Sequence, residues 1–447
     1  MTVSATSSAE TCDVIVVCGG PAGSTMATLL ARQGRNVVML EKEHHPRFHI
    51  GESLLPANVK LLEDLGVRAE VEAVGMPKWG VEFVSPQHAH HSFVEFGDAW
   101  DKSMPMAWQV RRSDFDAILF ANARKAGAHA LEGAKVQKID FDADGANVEA
   151  RLDDGATRRW RARYVVDASG RDTLLSSQFG WKRRNPKHNS AALFGHFRGA
   201  KRLQGKLEGN ISIFWFQHGW FWFIPLADGS TSIGAVVWPP YLKTRDKPLK
   251  DFFLDTIALC PRLAQRLEGA TLVDDSVWAT GNYSYTSTAS SGERCVLLGD
   301  AYAFIDPVFS SGVYLAMANA FEAANLVATC LDHPAEAAAA RRAYHRHVTL
   351  GPREFSWFIF RMTNPAMREL FMDPRNVLRV KEAVLALLSG DIYGGSPIRL
   401  PLSVFKGIYY LGSLFQLPRT FAAWRARRRN IRDVGALAGE NVMPAGR

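Results

Sequence analysis

Lys78, in Met76-Pro77-Lys78-Trp79-Gly80, is a lysine in apolar company. Such a lysine is a candidate for amine chemistry, because desolvation lowers its pKa and frees the lone pair. Far downstream, Trp220-Phe221-Trp222-Phe223-Ile224-Pro225 has strand alternation that puts Trp220 and Trp222 on one face. A third constellation is phosphate chemistry. Cys18-Gly19-Gly20-Pro21-Ala22-Gly23 is a GxGxxG fingerprint whose first glycine is cysteine. Its glycines allow a tight turn and close approach of a pyrophosphate, and the helix that follows aims free N–H groups at it. Glu41 closes the next strand, where a carboxylate accepts hydrogen bonds from ribose hydroxyls. Ser311-Gly312 opens another helix, whose N-terminus favours a small anion.

These residues need elements to hold them. Asp13–Val17 reads as a strand, Ser24–Gln33 as a helix and Asn36–Leu40 as the next strand, a βαβ unit with a parallel sheet. Helices are expected over Pro56–Leu65, Asp114–Ala126 and Ala316–Leu331, with buried strands at Tyr164–Asp167 and Cys295–Asp300. Residues 185–290, rich in Phe, Trp, Ile and Thr, suggest an antiparallel sheet, and the pattern beyond 350 is helical. The expected organisation is an FAD-binding domain over 1–350, with a substrate subdomain interleaved at about 80–110 and 185–290, and a helical region over 351–447. The last dozen residues read as loose.

The 447 residues, 47% hydrophobic and 22% charged, describe an ordinary globular protein. Five cysteines without a CxxC pair exclude a disulfide framework and fit a reducing, cytoplasmic setting. Met1–Thr11 lacks the basic start and apolar run of a secretory signal, and no apolar stretch is long enough to span a bilayer. The net charge of +8 favours acidic partners, and no nucleic-acid motif accompanies it. His88, His90 and His91, like His44, His45 and His49, sit in polar loops and read as solvated, so no metal site is expected. Asp172 reads as a turn residue, and no serine–histidine–acid arrangement is evident.

Asp167-Ala168-Ser169-Gly170-Arg171 and Gly299-Asp300-Ala301 each follow a buried strand. With the fingerprint they resemble the FAD-binding pattern of group A flavoprotein monooxygenases (the GR2 Rossmann type), over roughly residues 13 to 330. That resemblance implies an α/β FAD-binding fold with Asp300 at the ribityl chain and Arg112 near the phosphates. It also implies flavin contacts from Gly19, Gly20, Ala22, Gly23, Glu41, Lys42, Ser53 and Gly312.

Four segments narrow the family. Gly51-Glu52-Ser53-Leu54-Leu55-Pro56, the Pro-Lys-aromatic-Gly context of Lys78, the complete WxWxIP strand, and Phe304-Ile305-Asp306-Pro307-Val308-Phe309-Ser310-Ser311-Gly312 together resemble the flavin-dependent halogenases. The resemblance implies FADH2 from a separate flavin reductase, O2, and chloride or bromide held near Ser311 and Gly312, with Lys78 delivering hypohalous acid. Trp220, Trp222, Ile224 and Pro225, with Phe304, Pro307 and Ser310, would screen and shape the site. A single nucleotide fingerprint means the flavin is reduced at this same surface or by another protein. The chain resembles the pyrrole, phenol and polyketide halogenases more than those enclosing free tryptophan, and Leu388–Tyr393 resembles the pyrrolyl-carrier type. Some of these take substrates tethered to an acidic acyl or peptidyl carrier protein. Trp424-Arg425-Ala426-Arg427-Arg428-Arg429, with Arg432, fits such a carrier and a solvated helix end equally, and the apolar and basic mix of Ile408–Trp424 gives a third reading, peripheral membrane contact. An FAD-dependent aromatic hydroxylase and a non-catalytic FAD-binding scaffold remain open.

Overall fold

The computed structural model describes residues 9–281 and 284–432. The near-continuous apolar run Val14–Val17 is completely sandwiched, as strands of a parallel sheet covered on both faces must be. Glu10–Val17 lies between Val37–Leu40 and Thr157–Asp167, parallel to both. His129–Leu131 extends one side, Cys295–Leu297 joins Thr157–Asp167, and Ala146–Leu152 and Ala134–Phe141 complete a seven-stranded mixed sheet. Helices Pro21–Arg32 and Ser311–Asp332 pack together against it. The first begins at Pro21, earlier than the Ser24 expected, because proline at the first helical position has its φ already set and needs no intrahelical donor.

The second sheet has eight strands. Its centre is the antiparallel run Ala191–Arg198, Ser230–Val237, Gly219–Pro225 and Ile211–Phe216. Gly80–Val84 adds to Ile211–Phe216 in parallel and Ser92–Glu95 pairs with Gly80–Val84, whereas Ala107–Gln109 and Tyr285–Ser287 belong to separate, smaller sheets. Within 185–290 three short helices also occur, Pro239–Leu242, Leu249–Ala258 and Pro261–Arg266. Leu249–Ala258 covers one face, where Phe221, Phe223 and Ile233 meet Phe252 and Phe253. The other face carries Trp215, Trp220 and Trp222 and packs on Phe355, Phe358 and Met367 of the C-terminal helices.

Those helices are Ala337–Ile359, Pro365–Met372, Val380–Ser389, Arg399–Phe415 and Leu417–Arg432. The division at 350 falls inside the continuous helix Ala337–Ile359 and beside Pro352 within it. Val380–Ser389 shares one core with the tryptophan face and with Leu55 and Ala57. Lys78 lies on a short strand, Met76–Lys78, paired antiparallel with Ala107–Gln109, and not in a loop. No helix among the described residues is long and apolar enough to cross a membrane. The last dozen residues, expected to be loose, lie outside the described residues.

Candidate functional site

The seven-stranded sheet and the tryptophan face bound a cavity of about 470 Å³. At the nucleotide end, Cys18 adopts φ 75° at the position where the fingerprint has glycine, a left-handed conformation that strains a side-chain-bearing residue. The turn forms nonetheless, with the Cys18 amide donating to the Leu40 carbonyl at 2.8 Å. Burial raises the Cys18 thiol well above its usual range, so it stays protonated. Gly23 is obligatory, since a Cβ there would stand 1.9 Å from the Cys18 carbonyl oxygen. Helix Pro21–Arg32 starts at Gly20 with no side-chain cap, leaving its first N–H groups for a phosphate.

Glu41 is 1% exposed and lines the cavity. Its carboxylate accepts from the Gly19 amide at 2.8 Å and the Glu43 amide at 2.9 Å, which braces the turn. Lys42 lines the cavity too and pairs with Asp172 at 2.7 Å. Asp172 itself ends the 3-10 turn Gly170–Asp172. Arg112 is the first residue of a helix, Arg112–Lys125, and is buried. It grips Asp116 through Nε and Nη2 at 2.8 and 3.0 Å and donates to the Ile50 carbonyl at 2.9 Å. Asp300 follows its strand in the turn Gly299–Ala301, and burial in the cavity wall lifts its carboxyl to about 6.

At the far end, Ser310 (φ 56°) turns the chain into the 22-residue helix Ser311–Asp332 without a side-chain cap. Phe304, Pro307, Ser310, Ser311 and Gly312 all line the cavity. A Cβ added at Gly312 would meet nothing within 4 Å, so its bareness serves open space and not internal packing. Trp220, Trp222 and Ile224 form the opposing wall. Trp222 lies across Gly234 of the neighbouring strand, where a Cβ would be 2.1 Å from the ring, and its Nε1 donates to Ser232 Oγ at 3.1 Å. Gly19, Gly23 and Pro225 shape the walls without lining the cavity.

Lys78 is not a lining residue. It is 1% exposed, and its Nζ donates to Ser53 Oγ at 2.9 Å and the Leu54 carbonyl at 3.0 Å. Ser53 does line the cavity, so the amine stands one side chain behind the wall. The Phe96 ring lies 5.1 Å from Nζ. Burial alone lowers this lysine to about 7. Neutral and charged amine are therefore both available near neutral pH.

Several site residues escaped the sequence. Glu52 lines the cavity, is 1% exposed, and meets His196 Nε2 through Oε1 at 2.7 Å while its Oε2 has no hydrogen-bond partner. Arg47 also lines it, 3.6 Å from Glu41 and 3.5 Å from Asp116, and its buried Nε, 3.9 Å from Glu43, makes no hydrogen bond. No periodicity signals Arg47, because its partners come from different elements. His49 lines the cavity instead of lying in solvent, and burial beside Arg112 lowers it to about 3. The His45 side chain is buried, stacked 4.5 Å from Phe120 and bonded to Glu132, whereas exposed His44 pairs with Asp153. His91 meets the fully buried Glu82 at 2.7 Å, so this loop histidine is not simply solvated. Ser190, His188 and Asp306 do come together, but Ser190 and His188 both bond Asp306 Oδ2, at 2.7 and 3.0 Å, which ties the turn and does not order a nucleophile behind a base.

The cavity fits an elongated nucleotide cofactor on the structure's own terms. The bare N-terminus of helix Pro21–Arg32, Gly312 open to space, the Asp300 carboxyl and the Arg47 guanidinium all line it. The family model described as an FAD binding domain matches residues 11–348. A tryptophan 2-halogenase of Chondromyces crocatus is 34% identical over 74% of this chain. The chain spans 64% to 68% of the length of the curated halogenases it matches at that identity. A 1H-pyrrole-2-carbonyl-[peptidyl-carrier protein] chlorinase of Pseudomonas fluorescens is 29% identical over 87% of this chain and 91% of its own length. Among solved structures, the myxobacterial chondrochloren halogenase superposes with a TM-score of 0.76 at 32% identity, over 91% of this chain and 96% of that one. The chain belongs to the FAD-binding flavoproteins and, within them, to the flavin-dependent halogenases.

Proposed function

We propose that the chain halogenates an electron-rich carbon of a pyrrole, phenol or polyketide-like substrate, using FADH2 from a separate reductase, O2 and chloride or bromide. One observation carries this reading: Lys78 is dehydrated, has no carboxylate beside it, and is lowered to about 7 directly behind Ser53 on the cavity wall. A structural lysine would be solvated or paired.

The reduced flavin, when bound, supplies the electrons that let O2 oxidise a halide to hypohalous acid. Gly20, Arg47, Arg112 and Asp300 would hold its phosphates and polyol, and the bare start of helix Ser311–Asp332 would favour the halide. Trp220 and Trp222 keep water and bulky substrate out of the flavin end. Lys78 would receive the hypohalous acid, either by hydrogen bond from its ammonium form or by N–X bond formation on its neutral amine with release of water. The aromatic carbon then takes X⁺ and loses H⁺. Glu52, which lines the cavity and has one buried oxygen without a hydrogen bond, would accept that proton. A hydroxylase would have no use for Lys78, and a scaffold would have none for Glu52.

We further propose that an acidic carrier protein presents the substrate. Helices Arg399–Phe415 and Leu417–Arg432 expose Leu414, Phe415, Phe421 and Trp424 beside Arg425, Arg428 and Arg429. The carrier-protein chlorinase among the relatives supports the same reading. Arg427 is not part of such a surface. It donates to the Phe360 and Lys187 carbonyls, and burial lowers it to about 10. The Arg432 side chain lies outside the described residues. The deciding experiment is turnover of Lys78→Ala with reductase, FAD, NADH and bromide. We expect flavin oxidation to continue at the native rate while halogenated product falls at least a hundredfold. Undiminished product would refute the assignment.

A further inference from the structure

We propose that the chain carries a binding site for a divalent transition-metal ion of the zinc class, formed by His88, Glu369 and Asp373, with His90 beside it. The site lies outside the flavin cavity. It joins the loop between strands Gly80–Val84 and Ser92–Glu95 to the end of helix Pro365–Met372. One donor atom from each of His88, Glu369 and Asp373 lies within 4.8 Å of the others. His88 Nε2 is 3.2 Å from Glu369 Oε2, and His90 Nε2 is 3.3 Å from Asp373 Oδ1. Tetrahedral zinc with bonds of about 2.0–2.1 Å places neighbouring donors about 3.4 Å apart.

Hydrogen-bond logic gives an independent reason. Ser85 is fully buried and donates its one hydroxyl proton to Gln87 Oε1 at 3.1 Å. Toward His88 it therefore accepts, and the 2.9 Å contact puts the ring proton on Nδ1. His88 Nε2 then faces Glu369 Oε2 at 3.2 Å, so the outer nitrogen and the carboxylate converge as two ligands of one cation do. Orientation through the outer nitrogen is the usual setting of a ligating imidazole. The helix adds a second imbalance. Glu369 and Asp373 stand at its C-terminal end, where the macrodipole already carries negative charge.

The loop is held in place before any ion arrives. Arg262 donates to the His88 and Ala89 carbonyls, and Arg368 to Gln87. Those guanidiniums oppose a cation, and the two carboxylates offset them. With the side chains of His90, Glu369 and Asp373 half-exposed, the ion would exchange with solvent. It would clasp the second sheet to the C-terminal helices.

The test uses full-length, tag-free protein stripped with a chelator and titrated with Zn²⁺ against a chromophoric competitor. One equivalent should bind at micromolar Kd or tighter, and millimolar Mg²⁺ should not displace it, because nitrogen ligands disfavour the harder ion. Saturating Zn²⁺ should raise the melting temperature by a few degrees. His88→Gln and Asp373→Asn should each weaken binding at least tenfold, while His44→Gln should not. Failure of saturable binding would leave these groups an ion pair only and overturn the proposal. So would binding that both site variants retain or that His44→Gln abolishes.

Discussion

Lys78 shows how burial changes the acid–base character of a side chain. Its position at about 7 in the folded protein stands against about 10.4 for a solvated lysine. Between those values the unfolded chain binds more protons than the folded one, so native stability rises with pH across that window. Below pH 7 the folded state bears the full cost of a charged, dehydrated amine. Lys78→Met should therefore stabilise the apo protein by on the order of a few kcal/mol at pH 6, and the gain should shrink toward pH 10. Thermal melts of both proteins across that range check the sign. A constant difference would show that packing alone is at work. In catalysis, halogenation by the native enzyme should rise through pH 7 if the neutral amine is the acceptor, and Lys78→Arg should not restore it, because a guanidinium does not deprotonate. Glu52→Gln should lower product formation at least tenfold with FAD binding intact, as read from single-turnover product yield.

At the scale of elements, the fingerprint turn is where this chain departs from the usual pattern. Cys18 holds φ 75° only because its amide is pinned to Leu40 and Gly19 is pinned to Glu41. A left-handed residue with a side chain costs about 1–2 kcal/mol, so Cys18→Gly should stabilise the protein by about 1 kcal/mol once the glycine's greater unfolded-state freedom is subtracted. A higher melting temperature and unchanged or tighter FAD binding are the expected outcomes. Gly23→Ala should do the reverse, since its Cβ would meet the Cys18 carbonyl oxygen and force helix Pro21–Arg32 off the sheet. The tryptophan strand has a similar dependence. Trp222 reaches the cavity because Gly234 opposite it is bare.

For the molecule as a whole, the two sheets enclose the cavity and the C-terminal helices share the second sheet's core. Their outer surface is apolar and basic, with Phe415 91% exposed, and this is the face proposed to meet a carrier. Charge reversal at Arg425, Arg428 and Arg429 should weaken carrier binding at least tenfold at low salt, with the difference fading at high ionic strength. Turnover of an untethered substrate should not change. Vesicle binding lost in the same variant, with carrier binding intact, would assign the surface to anionic lipid instead.

The sequence by itself determined the local devices. The phosphate turn, Glu41 at the strand end, the Gly-Asp turn at 299–300 and the helix start at Ser311 are each built within a few residues, so their spacing is readable in one dimension. It also placed Trp220 and Trp222 on one face, because strand alternation is a local property. Tertiary structure decided the chemistry of Lys78, which depends on a partner strand at Ala107–Gln109 and on Ser53 from a third segment. It alone brought Arg47 to Asp116, Glu52 to His196, and His88 to Glu369 across 281 positions. Tertiary structure likewise took Arg427 out of the basic surface, because the carbonyls that hold it belong to Lys187 and Phe360. Dehydration and charge pairing are set by what arrives from elsewhere in the chain, and residue spacing does not encode that.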